Sequence, residues 1–200
     1  MHIDAIVLHL FELGALRFGD FLLKSGLRSP IYVDLRATIS NPRLLVAVAE
    51  SLHGAARNIS YDLVCGVPYT ALPFATAISI AHNIPMILKR REKKAHGTGK
   101  MVEGIFQKGQ RCLIVEDVVT SGQSVLETAQ QLAEEGLIVE DAVVLVDREQ
   151  GGRKILAEKT LQLHSVCTLS SMIHTLLEKK KIDEKTAADA IAFTQSHQLR

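Results

Sequence analysis

The stretch from Cys112 to Ser124, CLIVEDVVTSGQS, limits the chain to a small set of folds. Leu113, Ile114 and Val115 form a short apolar run of the kind that makes a buried strand. Glu116 and Asp117 follow, two adjacent carboxylates where such a strand leaves the core. Thr120, Ser121 and Gly122 then open a helix. Val125, Leu126, Ala129, Leu132 and Ala133 share its apolar face, with Glu127, Gln130, Gln131, Glu134 and Glu135 opposite and Gly136 closing it. Strand, Gly-containing turn and helix make an α/β unit, and open α/β sheets take ligands at this end of their strands.

The chemistry of that turn is specific. Backbone N–H groups at a helix N-terminus suit a phosphate. Two carboxylates just before it would repel one. They fit ribose hydroxyls, or a divalent cation held by the same ligand. A lone TSG reads first as a capped helix with no ligand. Strand, paired acids and turn together ask for a sugar phosphate with a metal.

The rest of the chain extends the α/β pattern. Ile3, Ile6, Val7 and Leu10 give a helical stripe ending at Gly14, and residues 15–34 read as short strands joined by Gly turns. Asn41-Pro42 starts a helix, Asn as cap and Pro in the first turn. Strands are expected over 62–67, 86–89 and 142–146, and a last one over 161–166. Helices are expected after Thr70, over 154–159, and over 169–177 and 184–193, with Lys179-Lys180-Lys181 a solvated turn. Alternation from 62 to 146 predicts a parallel sheet with helices on both faces. The turn from Val67 to Thr70 is a second strand-to-helix junction and a second candidate anion site.

Residues 90–104, RREKKAHGTGKMVEG, break the pattern. They have no apolar periodicity and carry Arg90, Arg91, Lys93, Lys94, His96 and Lys100. Read alone they are a solvated loop. Beside two anion-binding turns they are a lid whose cations close on a polyanion and exclude water. Arg148, after the 142–146 strand, belongs to the same rim as Glu116, where it pairs with Asp147 or Glu149 or meets a ligand.

Composition narrows the function classes. A net charge of +1 leaves no footprint for nucleic acid or an anionic membrane. No apolar run reaches membrane-spanning length, and MHIDAIVLHLF is not a signal peptide. Cys65, Cys112 and Cys167 sit far apart in apolar contexts without zinc spacing, as reduced core cysteines of a cytoplasmic protein do. Two hundred residues suit a single domain.

LIVEDVVTSG resembles the phosphoribosyl-pyrophosphate motif of the type I phosphoribosyltransferases. FLLKSGLRSPIYVD (21–34), CGVPYTALP (65–73), RREKKAHG (90–97) and VLVDREQGG (144–152) narrow the resemblance to the orotate phosphoribosyltransferase family, in the form that makes the first half of eukaryotic bifunctional UMP synthase. The resemblance covers essentially the whole chain. It implies an α/β fold with a central, mostly parallel sheet flanked by helices and an N-terminal hood of a helix and short strands. The hood would take residues 1–40, the core 41–168 and the C-terminal helices 169–197. The implied reaction joins orotate to 5-phosphoribosyl 1-pyrophosphate, with Mg²⁺ held mainly by pyrophosphate and ribose rather than by strong protein ligands.

The resemblance also distributes roles. Lys24 would contact the orotate and pyrophosphate side of the site, and the backbone at Tyr32 and Val33, with Arg148, would hold orotate; the family often has aromatic residues at both 32 and 33, and Val33 departs. Tyr69 and Thr70 would hold pyrophosphate; many bacterial relatives have Lys where Thr70 stands. Arg90, Arg91, Lys94 and His96 would close on pyrophosphate from a neighbouring subunit, in a homodimer whose loop 90–104 completes the partner's site; Arg91 stands where Lys is usual. Glu116 and Asp117 would face the ribose hydroxyls. Val118, Val119, Thr120, Ser121, Gly122, Gln123 and Ser124 would enclose the 5′-phosphate. Asp117, Lys94 and His96 would be catalytic. In eukaryotic relatives an orotidine-monophosphate decarboxylase domain follows this region. The alternatives are a phosphoribosyltransferase for another base, such as a purine, and a non-catalytic regulator that senses phosphoribosyl pyrophosphate.

Overall fold

The computed structural model describes residues 1–22, 26–90 and 101–198. Eight strands and seven helices are assigned among them: α1 (Ile3–Glu12), β1 (Leu16–Leu22), β2 (Arg28–Val33), α2 (Pro42–Ala55), β3 (Leu63–Gly66), α3 (Ala71–His82), β4 (Met86–Lys89), β5 (Val102–Glu103), β6 (Cys112–Val119), α4 (Gln123–Glu134), β7 (Asp141–Asp147), α5 (Gly152–Glu158), β8 (Gln162–Thr168), α6 (Leu169–Glu178) and α7 (Glu184–Ser196). A 3₁₀ turn, Leu35–Ser40, precedes α2.

The central sheet has the order β5-β4-β3-β6-β7-β8. All neighbours are parallel except β5, which runs against β4. Parallel strands buried on both faces read as continuous apolar runs, which is why LVCG, CLIV and AVVLV show little alternation. One face packs against α1, α2, α3 and α6 through Leu10, Leu52, Phe74 and Ile173. The other packs against α4 and α5 through Val125, Leu132 and Leu156. β1 and β2 form a separate antiparallel ribbon, with a register shift between Phe18 and Phe21.

Helix starts follow their sequence signals. The Asn41 side chain accepts from the Leu44 N–H at 3.1 Å. Thr168 and Ser171 cap α6 reciprocally, and Asp183 caps α7 by accepting from the Thr186 N–H at 2.7 Å. Gly66 makes the β3–α3 turn possible, since a Cβ there would lie 2.8 Å from the Ala71 carbonyl oxygen.

Three expectations need correction. β6 runs on through Val119 because β7 keeps pairing with it, Glu116 opposite Val144 and Val119 opposite Asp147. Glu116 and Asp117 therefore lie inside the strand rather than beyond its end. The inward line of α4 is Val125, Thr128 and Leu132, while Ala133 is exposed. Thr128 is tolerated in the core because its hydroxyl donates to the Ser124 carbonyl at 2.7 Å. Lys181 is not simply solvated, since it pairs with Glu12 at 3.2 Å and ties the turn after α6 to α1.

Candidate active site

The C-terminal edge of the sheet gathers the polar residues. Glu116 is only 6% exposed, and its Oε1 accepts the Asp117 N–H at 2.9 Å. Burial pushes its carboxyl well above the usual carboxylate range, and the neighbouring Asp117 adds to the rise. Asp117 is raised too, again mainly by burial; backbone N–H groups oppose the rise and the charge of Asp34 adds to it. Beyond the pair the chain wraps a cavity of about 190 Å³, lined by Glu116 and the run from Val118 to Val125. Asp117 does not line it.

The turn beyond β6 is built for a close approach. Gly122 has φ 78°, a left-handed conformation, and a Cβ on it would lie 2.8 Å from Leu156 Cγ. Ser121 Oγ accepts the Gln123 N–H at 3.3 Å, and no described side chain caps α4. The first amides of a twelve-residue helix thus face the cavity end with few internal partners. Gly152, at the start of α5, supports the turn from beneath: a Cβ there would lie 2.6 Å from the Thr120 carbonyl oxygen. That role was not read from the sequence, although the Gly151-Gly152 doublet was a signal for it.

Arg148 follows β7, and its N–H donates to the Val119 carbonyl at 2.9 Å, which sets it on the rim as expected. It pairs with neither acidic neighbour. Asp147 is engaged by Arg153 at 3.2 Å, and Glu149 accepts the Ser170 N–H at 2.8 Å. Arg148 Nε is buried with no hydrogen-bond partner among the described residues, and burial lowers its pKa. A buried guanidinium donor without an acceptor is costly unless a ligand supplies one.

The hood contributes more than was foreseen. The Tyr32 ring packs 5.6 Å from that of Phe21, and the Arg17 guanidinium sits 4.8 Å over it, so the ring is engaged within the ribbon. Val33 packs on the core. Asp34 accepts from Arg36 Nε at 2.7 Å, which helps hold its carboxyl below the usual range. Elsewhere on the rim, Tyr69 is 66% exposed, Thr70 is half-buried, and Arg90 pairs with Glu103 of β5. Lys24, Arg91, Lys94 and His96 lie outside the described residues, as does most of the 90–104 stretch.

Among the described residues no group of three His, Cys, Asp or Glu side chains is placed to hold a metal ion. The edge offers hard carboxylate oxygens in an open arrangement. That donor chemistry fits Mg²⁺ arriving on a phosphate ligand rather than a closed protein cage.

Fold and edge together define a class, and comparison with known proteins agrees. The phosphoribosyl transferase domain family matches residues 39–165. The chain belongs to the phosphoribosyltransferase family. A bovine relative, uridine 5′-monophosphate synthase, is 52% identical over 98% of this chain and 41% of its own length. Orotate phosphoribosyltransferase of Chlamydia caviae is 44% identical over 94% of this chain and 92% of its own. The solved UMP synthase of Leishmania donovani superposes with a TM-score of 0.89 at 34% identity, covering 98% of this chain and 43% of that one. The chain thus spans about two fifths of the bovine and Leishmania proteins and nearly all of the chlamydial one.

Two outcomes follow from this geometry. Gly152→Ala must displace the Thr120 carbonyl, and calorimetry should read a Tm lower by several degrees, roughly the effect of 1–2 kcal/mol; an unchanged Tm would mean the turn does not lean on α5. Glu116 has a raised folded pKa, so its contribution is favourable below the unfolded value of about 4.3 and is lost as pH rises through the folded one. Glu116→Gln should therefore raise the Tm of the unliganded protein at pH 8, with the gain shrinking toward pH 4.

Proposed function

We propose that the chain transfers the 5-phosphoribosyl group from phosphoribosyl pyrophosphate to orotate, giving orotidine 5′-monophosphate and pyrophosphate in de novo pyrimidine synthesis. The observation that carries this reading is Arg148, a half-buried side chain whose Nε is buried with no hydrogen-bond partner among the described residues, on the rim that also holds Glu116 and the Thr120–Gly122 turn. A planar cationic fork suits an anionic, carboxylated base, and the turn suits the sugar phosphate it is joined to.

Displacement at the anomeric carbon builds oxocarbenium character on the ribose. Glu116 and Asp117, within the last half of β6, would hold the 2′ and 3′ hydroxyls and stabilise that positive charge. Thr120, Ser121, Gly122 and the first amides of α4 would hold the 5′-phosphate, with Val118, Val119, Gln123 and Ser124 shaping its enclosure. Lys24 and the backbone at Tyr32 and Val33 would fix the base. Tyr69 and Thr70, with Arg90, Arg91, Lys94 and His96 of the basic stretch, would hold and neutralise the departing pyrophosphate. When bound, Mg²⁺ supplies further charge neutralisation on that leaving group. Catalysis is then mostly positioning and electrostatics.

Three further readings accompany this one. The active form is a homodimer in which the 90–104 stretch completes the neighbouring site. Val46 on α2, Ile80 on α3 and Tyr69 in the turn before α3 leave 53%, 79% and 66% of their surface exposed, apolar groups that a second copy would cover. The setting is cytoplasmic, consistent with three free, buried cysteines, the Cys65 thiol pushed up to about 11 by burial. In a longer protein, an orotidine-monophosphate decarboxylase domain after this region would consume the product.

The direct test is orotate absorbance in the presence of phosphoribosyl pyrophosphate, with and without Mg²⁺. Loss of orotate only with both supports the reading; no loss, with turnover of a purine instead, overturns it. Asp117→Asn keeps shape but removes charge, and kcat should fall roughly a hundredfold. Ile80→Asp should shift the sedimenting species from dimer to monomer, and activity should fall with it; a monomeric variant of full activity would remove the shared-site reading.

A further inference from the structure

Lys89 ends β4 at the rim of the site, and none of the roles above uses it. β3 pairs with β4, Gly66 opposite Leu88, and with β6, Gly66 opposite Val115. One residue further on, Lys89, Val67 and Glu116 fall in a row across three adjacent strands. They lie on the face that carries Ile87, Cys65 and Ile114. Strands are about 4.8 Å apart, so Lys89 and Glu116 are separated at the backbone by about 10 Å. Val67, the first residue of the turn that ends at Thr70, lies between them.

The field of Lys89 reaches that row. Its charge opposes the rise that burial imposes on both the Glu116 carboxyl and the Cys65 thiol. Its side chain is half-buried and forms no salt bridge among the described residues. The next cation along, Arg90, is already paired with Glu103. The turn itself is neutral: Val67, Pro68, Tyr69 and Thr70 carry no charge, and neither does the first turn of α3. A diphosphate seated there would meet helix amides and, among the described side chains on that side, one unpaired cation.

We propose that Lys89 is a pyrophosphate-binding residue of this site, supplying from the adjacent strand the positive charge that the Val67–Thr70 turn lacks. A lysine ammonium binds phosphate as a point charge and needs no fixed fork. The inference rests on the phosphoribosyltransferase reading and extends it. The competing account is that Lys89 only offsets the buried charge of Glu116.

Lys89→Met and Lys89→Arg separate the two. Calorimetric titrations with inorganic pyrophosphate and Mg²⁺, and with ribose 5-phosphate, read the two ends of the site independently. In the Met variant pyrophosphate affinity should fall about tenfold or more, with the KM for phosphoribosyl pyrophosphate rising in step. Ribose 5-phosphate affinity and the KM for orotate should stay within about twofold, and Arg should restore most of the loss. Unchanged pyrophosphate affinity overturns the proposal. So does a loss shared equally by ribose 5-phosphate, which marks a general effect through Glu116. If the Met variant does not fold, Lys89→Gln takes its place in the same titrations. Pyrophosphate titration involves no base, so failure of the orotate reading leaves the test intact; a wild-type chain that binds no pyrophosphate sinks the proposal whatever the base.

Discussion

Everything at the site depends on β6 being hydrogen-bonded on both sides, to β3 and to β7, in parallel. Both ladders hold the strand as far as Val115, and the β7 ladder carries it on through Glu116 to Val119, so the carboxylates are carried by paired backbone and not by a loop. The same pairing sets the neighbours: the Val67–Thr70 turn on one side, Arg148 on the other. A parallel sheet brings all its strand ends to one edge, and each ends next to a helix start. The convergence of acids, cation and helix amides is a consequence of that geometry.

The same edge concentrates unfavourable groups. Glu116 and Asp117 are both held above their usual ionisation range by burial, and Arg148 Nε has no partner among the described residues. Among the described residues no side chain caps α3 or α4, whereas α2, α6 and α7 are capped. Helices away from the edge satisfy their own first amides; those at the edge leave theirs to something else. Under the proposed function, a ligand with phosphates, hydroxyls and an anionic planar base would satisfy these groups. Such local cost is tolerated because the two cores on either face of the sheet hold the frame independently of the edge.

Much of this was legible because local rules were obeyed. Asn41-Pro42, the apolar runs of β3, β6 and β7, and the turn at Gly122 each signal structure within a few residues. Where the sequence misled, a distant partner decided. The length of β6 depended on β7 pairing past Val115. The inward face of α4 turned on the Thr128 hydroxyl finding the Ser124 carbonyl. Arg148 had two acidic neighbours in sequence, but Arg153 and the Ser170 N–H took them first.

The sequence by itself determined the α/β class, the order of its elements and the strand-to-helix turn at Gly122, because helix and strand periodicity, caps and glycine conformations act over a handful of residues. Only the tertiary structure decided that Glu116 is buried, that Tyr32 turns its ring to Phe21 and Arg17, that Gly152 supports Thr120, and that Lys89 stands in one row with Glu116. Those facts depend on register between strands far apart in the chain, and on which groups are shielded from water, neither of which a local pattern encodes.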